Sequence, residues 1–313
     1  MKTVSQEYSF SKPELQILIE IAKGKHELSS IEEVLLIKPS LLSYNLKKLQ
    51  NKGLIKTTQK TSKKQAYFSD SKPAALLRGL LSFYDYIDWE NILCGKATEI
   101  LFQTTTKSGK NLASIPKNTL WRHLKNLKAR GIITQQNTIN PKFDLLIQFI
   151  DEYQQFFINK IARTISDNSV ILWQQDMDFI VRVPKNAKPS SENFHSTATS
   201  VFHQYDLPLF SEYDIYLYSI NKKAIKPEDA IMHTLLIEPN NVRYTTYALL
   251  LLKKTEQQID KTYLLQEAER LGLKTQIIGM LQFLQTHMQQ QNQSLPSWSE
   301  FVSKAKDYKV ITQ

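Results

Sequence analysis

The chain of 313 residues has one cysteine, eight glycines and no long apolar run, and each scarcity removes a class of function. A lone Cys94 cannot close an intramolecular disulfide; it fits a reducing compartment and reads as a small buried hydrophobe. The glycines are so dispersed that no two stand one residue apart, which removes the glycine-rich loops that cradle phosphates. Among six histidines, His195 and His203 are the closest pair, and no set has metal-ligand spacing, so neither metal nor cofactor is expected. The longest aliphatic run, Ala248 to Leu252, falls far short of the ~20 residues of a membrane span. With no apolar segment of signal type at the N-terminus, the expectation is a soluble, cytoplasmic protein without membrane partners.

What is present is positive charge, and it is unevenly placed. Residues 1–150 carry 23 Lys and Arg against 12 Asp and Glu, a net +11, whereas residues 151–313 carry 17 against 18, a net −1. A basic half joined to a neutral half suggests that one end meets a polyanion and the other does something else.

The spacing of leucines locates the basic half's structure. Leu42, Leu46 and Leu49 recur at i, i+4 and i+7, which predicts a helix starting near Ser40 and stopping at Gly53, with Lys47, Lys48 and Lys52 toward its C-terminal end. Leu15, Leu18, Ile19 and Ala22 predict a helix before it, and Ile31, Val34 and Leu35 another. After Gly53, Leu54–Gln59 and Lys64–Ser69 predict a hairpin with Lys60, Lys63 and Lys64 around its turn, a wing able to lie along phosphates.

Sliding the sequence by 78 residues superposes Leu42, Leu46, Leu49, Gly53, Leu54 and Ile55 on Leu120, Leu124, Leu127, Gly131, Ile132 and Ile133. Lys47 then falls on Lys125 and Lys52 on Arg130. An internal repeat of one supersecondary unit is the simplest account. In the second copy the expected helices are Asn91–Thr104, Lys110–Ile115 and Lys117–Arg130, followed by a smaller wing over Ile132–Lys142. The segments LSYNLKKLQNKGLI and NTLWRHLKNLKARGII resemble the recognition helix and wing entry of winged-helix regulators of the MarR and ArsR kind, over roughly residues 10–70 and 90–143.

A helix of this size fits the major groove of B-DNA, about 12 Å wide, and projects its N-terminal polar side chains at base edges. The flank opposite the leucines offers Ser40, Ser43, Tyr44, Lys47 and Lys48 in the first copy, and Asn118, Thr119, Trp121, Arg122 and Lys125 in the second. Arg122 is the first choice for a base contact, because arginine can bridge guanine O6 and N7. Lys47, Lys48, Lys60, Lys63, Lys64 and Lys125 are assigned to phosphate. Trp121 has two readings, stacking on sugar or base and filling a seam against a neighbouring helix. His123 likewise has two, phosphate contact and partial burial.

Lys72–Asn91 is apolar around much of its circumference, and it either joins the two modules or forms a dimer seam. Phe143–Ile165 is a second long helix, striped by Leu146, Phe149, Ile150, Tyr153, Phe157 and Ile161. The fold class expected is α+β: two winged helix-turn-helix modules (1–71 and 91–143) joined by helices (72–90 and 144–166), then a mixed α/β domain over 167–313. In that last domain Ser169–Trp173, Asp178–Val183 and Tyr213–Ser219 read as strands, Phe194–Tyr205 as a helix, and about four helices follow Pro227. The segments EDAIMHTLL, RYTTYALLLLKK and IDKTYLLQEAERLGL resemble the helical end of AbiEi-type regulators and of related nucleotidyltransferase-like domains, which implies repression, partner binding or oligomerisation.

These readings converge on a non-enzymatic transcriptional regulator that binds double-stranded DNA, either as a homodimer matching a palindromic site or as a monomer whose two helices cover adjacent grooves, with a protein partner at the C-terminal domain as a further use. The rival from another class is a Mg²⁺-dependent nucleotidyltransferase using Asp176, Asp178 and Asp214, although the residues before the aspartate pair read ILWQQ where such enzymes place a Gly-Ser turn. A third reading is a scaffold whose modules bind protein.

Overall fold

A serine followed by Lys12 and Pro13 starts the first helix. The computed structural model describes residues 8–60, 63–105, 116–220, 222, 224–288 and 294–311. Helix α1 (Lys12–Ala22) opens where the Glu14 carboxylate accepts from the backbone N–H of Ser11 at 2.6 Å and from its hydroxyl at 2.9 Å. It buries Leu15, Ile17, Leu18 and Ile21. Helices α2 (Leu28–Leu35) and α3 (Pro39–Asn51) follow, separated by Leu36 in the left-handed region. Strands β1 (Ile55–Lys60) and β2 (Lys63–Phe68) pair antiparallel from Ile55 opposite Phe68 to Lys60 opposite Lys63. A bridge between Glu27 and Gln65 adds the segment before α2 to this small sheet.

Helix α4 (Lys72–Phe83) is capped by Ser71 and ends short of the expected Asn91, because Tyr84 leaves helical geometry and α5 (Trp89–Ile92) begins afresh at Asp88. The helix expected over Asn91–Thr104 is likewise divided. Cys94 pairs in parallel with Phe10, Gly95 takes a positive φ of 56°, and α6 (Lys96–Thr105) starts only then. The expected helix at Lys110–Ile115 lies outside the described residues. Helix α7 (Lys117–Ala129) matches its predicted span to within a residue. The second wing has no paired strands of its own beyond one bridge, Ile133 to Ile139, closed by Asn137 at φ 62°. A 3-10 turn (Pro141–Phe143) leads into α8 (Asp144–Arg163).

The chain folds as two compact units, Met1–Ile158 and Asn159–Gln313, divided inside α8. The first unit is centred on an aromatic cluster. Tyr153 of α8 stacks on Phe10 and Phe149, and Tyr8, Phe102 and Phe157 complete the group. Because these rings come from the segment before α1, from α6 and from α8, both copies share one core.

In the second unit, β3 (Val170–Gln175), β4 (Asp178–Pro184), β5 (Phe194–Ser196) and β6 (Tyr213–Tyr218) form an antiparallel sheet in the order β3-β4-β6-β5. The helix expected at Phe194–Tyr205 is instead β5 and a 3-10 segment (Ala198–Tyr205). Pairing with β6 through Ser196 and a positive φ at Ala198 prevent a continuous helix. Five helices follow where about four were expected: α9 (Pro227–Ile237), α10 (Val242–Lys254), α11 (Lys261–Arg270), α12 (Lys274–Thr286) and α13 (Trp298–Asp307). Helix α9 is buried on every side, packed among α10, α11, β3 and the 3-10 segment, so its sequence is apolar nearly all round. Among the described residues no helix is long and apolar enough to cross a membrane.

Candidate nucleic-acid interface

In α3 the leucine stripe does what its spacing requires. Leu42, Leu46 and Leu49 are buried, which turns Ser40, Ser43, Tyr44 and Lys47 outward, all exposed, with Lys48 half-buried beside them. The Lys48 ammonium lies 4.7 Å from the centre of the Tyr44 ring, which holds both groups on the open flank. In the wing Lys63 and Lys64 are exposed; the side chain of Lys60 lies outside the described residues. Lys63 is already engaged by Glu27 at 2.8 Å, whereas Lys47, Lys48 and Lys64 have no ion pair among the described residues.

Helix α7 presents a parallel arrangement. Asn118, Trp121, Arg122 and Lys125 are exposed and Thr119 is half-buried. Trp121 is 64% exposed, and Lys125 lies 5.0 Å over its ring. His123 is half-buried, and burial, with the neighbouring Arg122 charge, pulls its imidazole below the usual range. The hydrophobic side of α7 is less complete, since Leu127 is buried but Leu120 and Leu124 are only half-buried.

The cation at the C-terminal end of α3 is turned inward. Lys52, expected among the cations at the helix end, is buried, with its ammonium 2.7 Å from Glu14 Oε1 and 2.7 Å from the carbonyl of Ser9. Burial lowers its pKa and the Glu14 charge opposes that, as expected of a structural ion pair. Leu41 was missed in the sequence because it sits beside the buried stripe. It is 41% exposed between Ser40 and Ser43, an apolar group of the kind that meets thymine methyls. Cys94 is half-buried rather than buried, and burial raises its thiol pKa.

The carboxylates of the rival reading are not brought together. Asp176 lies in the turn between β3 and β4 at φ 55°, and Asp178 starts β4. Asp214 pairs with Val183 at the opposite end of that strand. The separation from Asp178 is five residues of strand, roughly 17 Å at the usual rise. Asp178 is held instead by the Ser219 hydroxyl, and burial pushes its carboxyl up to about 6. The fully buried His233 is brought within 2.6 Å of the Thr197 hydroxyl, and burial lowers its pKa to about 4. Both are interior groups. No group of three or more potential ligands capable of holding a metal occurs among the described residues.

Two family models match the chain. That of the winged helix DNA-binding domain covers residues 10–72, which are α1, α2, α3, the wing and the first residue of α4. A second, described as HVO_2833, C-terminal, covers residues 191–310, so the half read as similar to AbiEi-type regulators matches a differently named family. No curated protein and no solved structure matches the chain.

Proposed function

We propose that the chain is a sequence-specific regulator of transcription that binds double-stranded DNA through two winged-helix modules, and that it carries out no chemistry on its target. The observation that carries this reading is the outward flank of α3 within the matched domain. Ser40, Ser43, Tyr44 and Lys47 are exposed while the opposite side of the helix is buried. Ser40, Ser43, Tyr44 and Arg122 are assigned to base edges, and Asn118, Thr119 and Trp121 to sugar and base contacts. Lys47, Lys48, Lys60, Lys63, Lys64 and Lys125 are assigned to phosphates. The second module is supported by its cap geometry. Gly131 and Gly53 both have φ 69°, and Ile132 N–H donates to Leu127 O at 3.0 Å as Leu54 N–H donates to Leu49 O at 3.1 Å. The C-terminal half, with a net charge of −1 over residues 151–313, is assigned to regulation or partner binding rather than to DNA.

Selection of bound duplexes from a random DNA pool tests the proposal. The expected result is a defined consensus for the wild type and a loss of discrimination of about tenfold at one base pair for Arg122→Ala, the effect of a bidentate arginine contact. An unenriched pool contradicts sequence-specific binding.

A further inference from the structure

The helices that leave the two wings meet each other in a way that sets how many chains a DNA site requires. Helix α4 leaves the first wing and α8, through its 3-10 turn, the second. Ser71 caps the first exit: its hydroxyl accepts from Ala74 N–H at 3.3 Å and donates to Gly53 O at 2.8 Å. Asn140 caps the second: its side chain accepts from Lys142 N–H at 3.1 Å and donates to Gly131 O at 3.0 Å. What the two caps share is the bond to the carbonyl of the glycine that ends the preceding helix; Ser71 accepts from the third residue after it and opens α4 directly, whereas Asn140 accepts from the second and opens the 3-10 turn before α8.

Helices α4 and α8 then run antiparallel. Lys72 pairs with Glu152, a Cβ on Gly79 would lie 3.8 Å from Leu145, and the Tyr84 hydroxyl donates to Lys142 O at 2.9 Å. This ladder is centred on Leu77 and Arg78 in α4 and on Leu146 and Ile147 in α8, in each case the sixth and seventh residues after the cap. Two helices that leave glycine-bonded caps and pack antiparallel at matching distances from those caps are related by an approximate local two-fold axis. The apolar side of α4, with Leu77, Leu80 and Leu81 buried, is consumed in this first unit. These contacts fit the joining use of Lys72–Asn91, while Phe83 and Tyr86 of the same segment stay exposed.

We infer that a single chain supplies both halves of a two-fold DNA reader and binds, as a monomer, one duplex carrying two inverted half-sites of unlike sequence. Dimeric regulators match palindromes by the symmetry between subunits. Here the axis lies inside one chain, and the flanks it relates differ: Ser40, Ser43, Tyr44 and Lys47 on one side, Asn118, Trp121, Arg122 and Lys125 on the other. Unlike flanks select unlike half-sites. The inference rests on the DNA-binding reading above and adds to it the stoichiometry and the asymmetry of the target.

The test uses the full chain and a duplex recovered by selection, with the mass of the complex read by light scattering. Wild type is compared with Tyr44→Ala and Arg122→Ala, both at exposed positions that leave the core intact. The expected mass is that of one 36.3 kDa chain per duplex. Each variant is expected to relax base preference about tenfold, and in opposite halves of the site. Two chains per duplex, or both variants acting on the same half, overturns the inference and leaves DNA binding standing. Absence of binding to any duplex overturns the DNA reading itself, and the inference with it.

Discussion

Helices α3 and α7 end with the same hydrogen bonds but are held in place by different means. In the first, Lys52 is buried onto Glu14, Gly53 sits against the Phe156 ring, all three stripe leucines are buried, and the wing is a ladder of six residue pairs. In the second, Arg130 lies half-exposed with Asp88 at 3.6 Å, a Cβ on Gly131 would meet open space, two of the three leucines are half-buried, and the wing is a single bridge. The comparison teaches that a short local pattern, leucines then glycine, determines the helix and its stop. How firmly the helix is anchored depends on residues far away in the sequence.

The largest predicted difference lies at the pair of helix-end cations. Lys52→Ala strands a buried carboxylate at Glu14 and is expected to cost about 3–5 kcal/mol of stability, whereas Arg130→Ala breaks a surface pair and is expected to cost less than about 1 kcal/mol. Chemical denaturation of the two variants measures both, and equal losses would erase the distinction between the copies. The next contrast is at the glycines. Gly131→Ala meets only the strain of its positive φ, about 1–2 kcal/mol, but at Gly53 the added methyl would also lie 2.2 Å from Phe156 Cζ. Gly53→Ala is therefore expected to lower the melting temperature further than Gly131→Ala. The smallest effect is a similarity: Ser71→Ala and Asn140→Ala should each cost about 1 kcal/mol, since each removes a cap that also bonds the carbonyl of the preceding glycine. A marked disparity there would break the equivalence of the two exits on which the local two-fold depends.

Much of the first unit was legible because its helices are periodic. Helices α3, α7 and α8 lie within one or two residues of the spans that leucine and aromatic spacing predicted. The outward flank followed from the same spacing, since burying one stripe exposes its opposite. Lys52 lies at the helix end as its position predicted, but its burial was not legible because its partner Glu14 lies 38 residues earlier. The break between α5 and α6 escaped for a related reason, as Cys94 leaves helical geometry to pair with Phe10, a contact no local window contains. Strand β5 is only three residues long and forms by pairing with β6, so the period of its own sequence pointed to a helix. Of the carboxylates that suggested a metal site, Asp176 and Asp178 alternate and stay near each other, but the register of β6 puts Asp214 opposite Val183, at the far end of β4.

The account as a whole turns on whether the cationic flanks meet a duplex. A salt titration of a fluorescently labelled duplex by anisotropy, wild type against the Lys47→Ala, Lys64→Ala double variant, measures this directly. The account predicts tight binding at low salt that weakens steeply as salt rises, and a shallower dependence in the variant by nearly two released counterions. Binding that is absent at low salt, or that keeps the same salt dependence without Lys47 and Lys64, would contradict it.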